Sequence, residues 1–215
     1  MTTVARLFTS AAPSPGGLRA LELPGLWLPT GHVVACDPLA YFNPQPLTHA
    51  CPPGRYPVYL HLLPTEGRIA YAELRLSTAD VARWEMAVVP GQDPATLAAD
   101  EIFGHPVSAG LGCFMDASTL PLLEQHDAEL EAQLGDEYVS YDDYVAEHLE
   151  NDALAGHEHC LLQPYADREN NVAVFQSGYG DGFYATYVGL DAAGQPVKFV
   201  TEFIDAAESA PPAQS

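Results

Sequence analysis

The sequence predicts an α+β fold, built on a mainly antiparallel, twisted sheet or open barrel with two inserted acidic helices. Short β-prone runs are separated by turn residues, because the 17 Gly and 19 Pro of this 215-residue chain are scattered along it. Residues 69–76 alternate Ile, Tyr, Glu and Arg with Ala, Ala, Leu and Leu, which is the period of a strand. Residues 116–134 instead place leucines at helical spacing, with acids opposite them.

The length of the chain is that of one large domain. Residues 1–17 end in small residues, Pro and Gly, and are predicted to form a flexible lead-in. Residues 18–205 are expected to form a single α+β domain. Residues 206–215 are small and contain Pro, so they are predicted to be a disordered tail.

Strands are predicted where β-branched and aromatic residues lie between turn residues. Residues 18–36 hold two or three short β-prone pieces, which end at Asp37 because Pro38 favours an extended residue before it. Further strands are predicted at 56–63 and 68–76, which should pair, and at 83–89 and 197–203.

Two helices are predicted in the middle of the chain. The first spans 116–134, with Asp116 or Ser118 as its cap and Gly135 as its end. The second spans 137–149, with tyrosine, valine and leucine at helical spacing. Their acidic faces are typical of solvated surface, and a binding site is the alternative.

Residues 171–188 read NVAVFQSGYGDGFYATYV, two β-prone runs joined by a Gly/Asp cluster. Gly180 and Gly182 permit a positive φ and Asp181 tolerates it, so a hairpin is predicted. Three alternating glycines exceed what a tight turn needs. We therefore expect a ligand or another piece of backbone to approach this segment closely.

The charge is strongly acidic, with 29 Asp and Glu against 8 Lys and Arg and a formal net charge of −21. Between Arg83 and Arg168 there are 18 acids and no Lys or Arg. This field repels phosphate backbones, which argues against nucleic-acid binding. It would attract a basic protein or divalent cations, although the simplest interpretation is solubility.

The cysteines favour a reducing, cytoplasmic compartment with free and mostly buried thiols. Cys36, Cys51, Cys113 and Cys160 lie far apart, and no CxxC pair occurs. No secretory signal is visible at the start of the sequence. No apolar run reaches the roughly 18 residues of a membrane span.

Three carboxylates lie beside predicted turns, namely Asp37, Asp116 and Asp181. If they meet at one rim of the sheet, they can hold Mg²⁺, Mn²⁺ or Ca²⁺, which prefer oxygen ligands. They can equally supply an acid and a base around a scissile bond. The favoured alternative is separate structural work, because Asp is common in turns and caps.

Two further constellations are weak. His157, His159 and Cys160, with His148 nearby, offer ligands for Zn²⁺ or Cu²⁺, but no second pair follows at finger-like spacing. Cys113 near Ser108 suggests a nucleophile without an assignable base, and an inert buried thiol is favoured. Gly110 and Gly112 lack the third glycine and the βαβ context of a dinucleotide site.

Four stretches, taken together and in order, resemble an uncharacterised bacterial family, the domain of unknown function number 4241. They are Cys36-Asp37-Pro38, Pro53-Gly54-Arg55-Tyr56-Pro57-Val58, Ala109-Gly110-Leu111-Gly112-Cys113-Phe114-Met115-Asp116 and Ser177-Gly178-Tyr179-Gly180-Asp181-Gly182. The resemblance extends over about residues 31–203 and implies no established activity.

The chain departs from the pattern expected for this family at two positions. Ser108 stands where the resemblance implies Asp, and Tyr179 where it implies Trp. If the missing Asp is a ligand or catalytic acid in the family, this chain is impaired. If the segment is only a tight packing site, Ser fits there.

Three functional hypotheses follow. The first is a non-enzymatic cytoplasmic protein whose acidic surface engages a basic partner, as an immunity or antitoxin-like protein engages a basic toxin. The second is a metal-dependent hydrolase, of the phosphoester class, that uses the three Asp residues, with His61 or Tyr179 transferring protons or positioning the substrate. The third is a Ca²⁺-stabilised structural module that uses the same acids.

Overall fold

The computed structural model describes residues 2–8, 15–40, 43–152 and 158–206. Its strands are β1 (Arg19–Leu28), β2 (Val33–Cys36), β3 (Gly54–Leu62), β4 (Ile69–Arg75), β5 (Arg83–Met86), β6 (His105–Val107), β7 (Leu111–Asp116), β8 (His159–Leu162), β9 (Val172–Gln176), β10 (Gly182–Tyr184), β11 (Thr186–Leu190) and β12 (Pro196–Glu202). Its helices are α1 (Thr3–Leu7), α2 (Leu120–Leu134) and α3 (Ala146–Asp152), and a π-helical segment, Tyr141–Val145, leads into α3. Single 3₁₀ turns lie at Pro15–Gly17 and Pro94–Thr96.

The strands form two main antiparallel sheets, which confirms the α+β class. The large sheet has the order β1-β3-β4-β12-β11-β5, and the small sheet has the order β2-β7-β9-β8. A two-stranded ribbon pairs β10 with β6. The predicted antiparallel strands are thus confirmed, but they are divided between sheets, and the described strands close no barrel. After β1 the chain turns at Thr30 and Gly31 into the small sheet, so consecutive strands are divided between layers.

The main core lies between the two sheets. Each sheet contributes alternate residues, as the period of a strand requires. Val58 and Leu60 of the large sheet are fully buried, as is Phe114 of the small sheet. The rings of Phe114 and Phe175 meet edge to face with their centroids 5.5 Å apart.

A second core covers the other face of the small sheet. Cys113 and Met115 of β7 face Leu123 of α2 and Val145 and Leu149 of the helical segment that follows. The helices therefore form a third layer on the small sheet. Among the described residues, no helix is both long and apolar enough to cross a bilayer.

The start of α2 differs from its predicted start. The helix begins at Leu120, and Thr119 at its N-cap makes no side-chain capping bond. Asp116 is the last residue of β7 and is fully buried. Neither Asp116 nor Ser118 caps the helix, because the Asp116 carboxylate instead accepts the backbone N–H of Ser118 two residues on, at 2.9 Å.

The described part of the predicted lead-in packs on the outer face of the large sheet. Val4 and Phe8 are buried. The Phe8 ring lies 4.9 Å from that of His61 and 5.2 Å from that of Tyr71, between centroids. Thr3 Oγ1 donates to Asp205 Oδ2 at 2.8 Å. Of the predicted tail, residues 207–215 lie outside the described residues.

The predicted hairpin in 171–188 does not form. β9 pairs with β7 and β8 in the small sheet, whereas β10 pairs with β6 and β11 pairs with β5 and β12. The Gly/Asp cluster therefore carries the chain from the small sheet into the two-stranded ribbon. The predicted turn is present in this cluster, but the strands on either side of it pair with strands from distant parts of the sequence. By contrast, the predicted pair of 56–63 and 68–76 is confirmed as β3 and β4.

Candidate functional site

Two turns meet where the chain crosses between the small sheet and the two-stranded ribbon, and we call residues 108–110 and 177–181 the junction. Asp37 Oδ2 accepts the backbone N–H groups of Ser108 and Ala109, both at 2.9 Å. Asp181 Oδ1 accepts the N–H of Gly110 at 3.1 Å. Asp37 is fully buried, whereas Asp181 is exposed. The two carboxylates hold one turn in place from two sides.

The backbone conformation and the packing of the protein account for the glycines of the junction. Gly178 has a φ of 60°, and a Cβ there would lie 2.8 Å from Ile204 Cγ1. Gly110 and Gly180 have φ values of 67° and 108°, which side chains rarely adopt. A close approach to this segment is found at Gly178, but side chains that follow β12 make it, and not another piece of backbone.

Two other predicted glycines also pack against rings. A Cβ at Gly112 would lie 3.0 Å from the Phe203 ring, and one at Gly182 would lie 2.7 Å from the Tyr184 ring. The Tyr184 hydroxyl in turn donates to the carbonyl of Gly180 at 2.7 Å. These positions therefore shape the backbone of the junction.

A polar cleft of about 200 Å³ opens beside the junction. Arg68 Nη1 donates to the carbonyl of Gly178 at 3.1 Å, and its guanidinium carbon lies 4.9 Å from the centre of the Tyr179 ring. The Tyr179 hydroxyl donates to Glu66 Oε2 at 3.1 Å, and this bond raises the pKa of Tyr179. The Tyr179 ring is 61% exposed and lies against the Arg68 guanidinium, in the geometry of a cation–π contact.

Asp116 lies elsewhere. Its carboxylate accepts the N–H groups of Thr30, Gly31 and Ser118 at 3.0, 3.1 and 2.9 Å and two neighbouring hydroxyls. Cys36, which precedes Asp37, pairs with Cys113, so Asp37 lies level with residue 112. Asp116 is four residues further along β7, about 13 Å away at the rise of a strand.

The three predicted carboxylates therefore do not converge on one metal or one substrate. In the part of the chain that the structure describes, no group of three or more His, Cys, Asp or Glu is arranged to hold a metal ion. Ser108 contributes its backbone N–H to Asp37, so a serine at this position suffices for the contact that the turn makes.

The other predicted thiol and histidine sites are part of the strands. Cys113 is buried with its Sγ 3.6 Å from that of Cys36, and burial raises the pKa of the Cys113 thiol. This disfavours the nucleophilic thiolate. His159 and Cys160 are buried in β8, and His157 lies outside the described residues.

A buried charge cluster that was not predicted lies on the outer face of the large sheet. Glu73 is fully buried and contacts His61 Nε2 at 2.8 Å, Arg75 Nε at 2.8 Å and Lys198 Nζ at 3.0 Å. The Arg75 guanidinium stacks 4.1 Å from the centre of the Tyr59 ring. Burial lowers the pKa of Lys198, although Glu73 opposes this effect. His61, predicted beside the Asp residues, belongs to this cluster instead.

A second cavity, of about 180 Å³, lies between β2, the end of β5, β6 and β11. It is lined mostly by apolar side chains, together with Asp37 and His105. Burial lowers the pKa of His105 to about 4, although the charge of Asp37 opposes this effect. The cavity adjoins the carboxylate that holds the junction.

A further candidate site is the surface formed by residues 120–147, which comprise α2 and the segment up to the start of α3. We call this surface the acidic face. It contains no Lys or Arg. None of the ion pairs among the described residues involves its carboxylates. The exposed acids are Glu124, Glu129, Glu131, Asp136, Glu137, Asp142, Asp143 and Glu147.

The protein belongs to the α+β class. Its two main sheets pack face to face, helices cover the smaller sheet, and the glycine-rich junction lies where the small sheet meets the ribbon. The sequence matches a family described as protein of unknown function, DUF4241, over residues 26–201. The chain therefore belongs to DUF4241, which confirms the resemblance. Neither the comparison with curated proteins nor that with solved structures found a match.

Because Asp181 is exposed and makes one backbone contact, we expect Asp181→Asn to change the free energy of unfolding by less than about 1 kcal/mol. In thermal unfolding, neither protein should change its melting temperature between EDTA, Mg²⁺, Mn²⁺ and Ca²⁺. A rise with one ion that disappears in the variant would restore the metal-site hypothesis.

Proposed function

We propose that this protein is a non-enzymatic, cytoplasmic binding protein that captures a basic protein partner on the acidic face. The sharpest version is an immunity or antitoxin-like protein that neutralises a basic toxin such as a nuclease. The single observation behind it is the run of exposed carboxylates at residues 120–147 with no Lys or Arg in the same stretch.

The charge of this face is not neutralised internally. Asp127 is half-buried and accepts hydroxyls from Tyr138 at 2.7 Å and Ser140 at 2.5 Å, which are neutral donors. Glu129 accepts from Gln125 at 2.7 Å and from Tyr165 at 3.0 Å, again without a cation. The field therefore extends into solvent, where it raises the encounter rate with a basic surface.

Two exposed apolar residues lie within this acidic stretch. Leu134 at the end of α2 is 54% exposed, and Val139 in the following turn is 50% exposed. Protein interfaces combine an apolar centre with a polar, charged rim. Apolar residues amid acids suit a basic protein with its own apolar contact better than they suit simple counterions.

The state of the thiols is consistent with the proposed compartment. The structure has Cys36, Cys51, Cys113 and Cys160 as free, buried thiols. Disulfides are rare in the cytoplasm, where thiols are kept reduced.

The test uses two variants with equal loss of charge. Glu131→Gln, Asp136→Asn, Glu137→Gln and Asp142→Asn neutralise the acidic face, and Glu22→Gln, Asp80→Asn, Asp100→Asn and Asp167→Asn neutralise exposed acids outside it. A basic partner isolated from the native cells with the wild-type protein should bind the face variant with an association rate constant at least tenfold lower. The control variant should retain most of the wild-type rate.

Stopped-flow measurements at several salt concentrations distinguish binding at the acidic face from attraction by the net charge of the whole protein. The wild-type rate should fall steeply with salt, and the rate of the face variant should fall less. Equal rates for the two variants, or a partner without net positive charge, would overturn the proposal.

A further inference from the structure

The cavity between the sheets has the build of a small-molecule site. Its walls are formed by apolar side chains from both sheets and from the loop after β2, namely Ala35, Pro44, Leu47, Ala87, Val89 and Pro106. Ligand sites in proteins combine such walls with a few polar groups. A volume of about 180 Å³ equals that of about six water molecules, so the cavity suits a compact ring system.

The polar groups at the cavity are predominantly neutral. His105, Asn43, Gln45 and Gln92 line it. His105 Nε2 is buried and has no hydrogen-bond partner among the described residues. A buried polar atom without a partner is costly, so proteins rarely keep one unless a ligand or water supplies the bond.

Asn43 adds an independent observation. Its φ is 50°, and among the described residues it is the one position other than glycine with a positive φ. Its side-chain oxygen accepts from Gln45 Nε2 at 3.3 Å, so two carboxamides are linked at the cavity wall.

The charges of the cavity exclude ionic ligands. The buried carboxylate of Asp37 repels anions, a phosphate group included. A cation is disfavoured as well, because the Asp37 carboxylate already accepts the backbone N–H groups of Leu39, Ser108 and Ala109, and the walls of the cavity are mostly apolar. A neutral ligand remains.

We propose that this cavity binds a small, neutral, planar heterocycle of the nucleobase class. The carboxamides of Asn43, Gln45 and Gln92 supply donors and acceptors that match the N–H and C=O edge of such a ring. The neutral imidazole of His105 offers one donor and one acceptor. The apolar walls cover the faces of the ring. This site is separate from the acidic face.

The experiment titrates the full chain with adenine, hypoxanthine, cytosine and uracil, followed by calorimetry and by ligand-observed NMR. At least one base should bind the wild-type protein. His105→Phe keeps a flat ring but removes both nitrogens, and it should raise the Kd of that base at least tenfold. Circular dichroism checks that the variant folds.

A second pair of variants keeps the test independent of His105. Gln92→Ala should weaken binding, whereas Gln133→Ala, an exposed glutamine on α2, should leave the Kd unchanged. The corresponding nucleoside monophosphate should bind more weakly than its free base, because Asp37 repels the phosphate. Binding of none of the bases, an unchanged Kd in both His105→Phe and Gln92→Ala, or tighter binding of the monophosphate would overturn the proposal.

Discussion

Replacing Glu73 by glutamine should lower the free energy of unfolding by about 3 to 5 kcal/mol, the usual cost of breaking a buried ion pair. The variant removes the carboxylate that Lys198, which is 1% exposed, contacts at 3.0 Å. It also leaves Arg75, whose side chain is 10% exposed, without its carboxylate. Neither cation can regain its hydration while the large sheet stays folded.

Urea unfolding measures this loss, and Glu85→Gln is the matched control. Glu85 pairs with Arg83 at 2.7 Å, but both side chains are largely exposed. Surface pairs contribute about 0 to 1 kcal/mol, so the control should change little. Similar losses in the two variants would mean that the buried cluster contributes no more than a surface pair.

The same cluster predicts a dependence on pH. Burial alone would raise the pKa of Glu73, but hydrogen bonds from His61 and Arg75 and the charge of Lys198 outweigh it and hold this pKa well below its usual value of 4.5. The cluster therefore stabilises the fold fully above about pH 4.5, and this contribution is lost as the pH falls below it. The gap in unfolding free energy between wild type and Glu73→Gln should narrow as the solution is acidified.

The second large effect is expected at Asp116. Asp116→Ala should lower the free energy of unfolding by about 2 to 4 kcal/mol, because several buried donors lose their acceptor at once. Thr30 and Gly31 form the turn between β1 and β2, and their backbone N–H groups donate to the Asp116 carboxylate. Among the described residues, no other side chain is seen to accept these two N–H groups. Loss of the carboxylate therefore weakens the link between the two sheets.

Thr30→Val separates the role of the carboxylate from that of its surroundings. It removes the hydroxyl that lies 2.8 and 2.9 Å from the two Asp116 oxygens and 3.3 Å from the N–H of His32, but keeps the N–H bonds of Thr30 and Gly31 to Asp116, so a loss of about 1 kcal/mol is expected. Chemical denaturation of both variants gives the comparison. If Asp116→Ala costs no more than Thr30→Val, the carboxylate does not hold the turn.

The sequence predicted those strands and helices whose formation depends on residues close together in the chain. The alternation in 68–76 predicted β4, because side chains on a strand must alternate between faces. The leucine spacing after residue 118 predicted α2, although its first turn lies at Leu120. The same alternation placed Glu73 on the side of Tyr71 and Arg75, and this was the one available signal for the buried cluster.

The pairing of strands that lie far apart in the chain could not be predicted from the sequence. The glycines at 178–182 looked like a hairpin turn because turn chemistry is local, whereas the strands on either side join different sheets. Convergence of Asp37 and Asp116 at one rim was the less favoured alternative, considered because both lie at the ends of predicted strands. Register puts them at opposite ends of β7, and no spacing in the sequence encodes register between β2 and β7.

The position of β12 in the large sheet has a consequence for synthesis. This last strand lies between β4 and β11, so the sheet has a gap at its centre until residues 196–202 are available. During translation β11 and β5 cannot join β1, β3 and β4, and the nascent chain exposes two unpaired strand edges. We expect the chain to acquire resistance to protease only after β12 has left the ribosome, late and in one step.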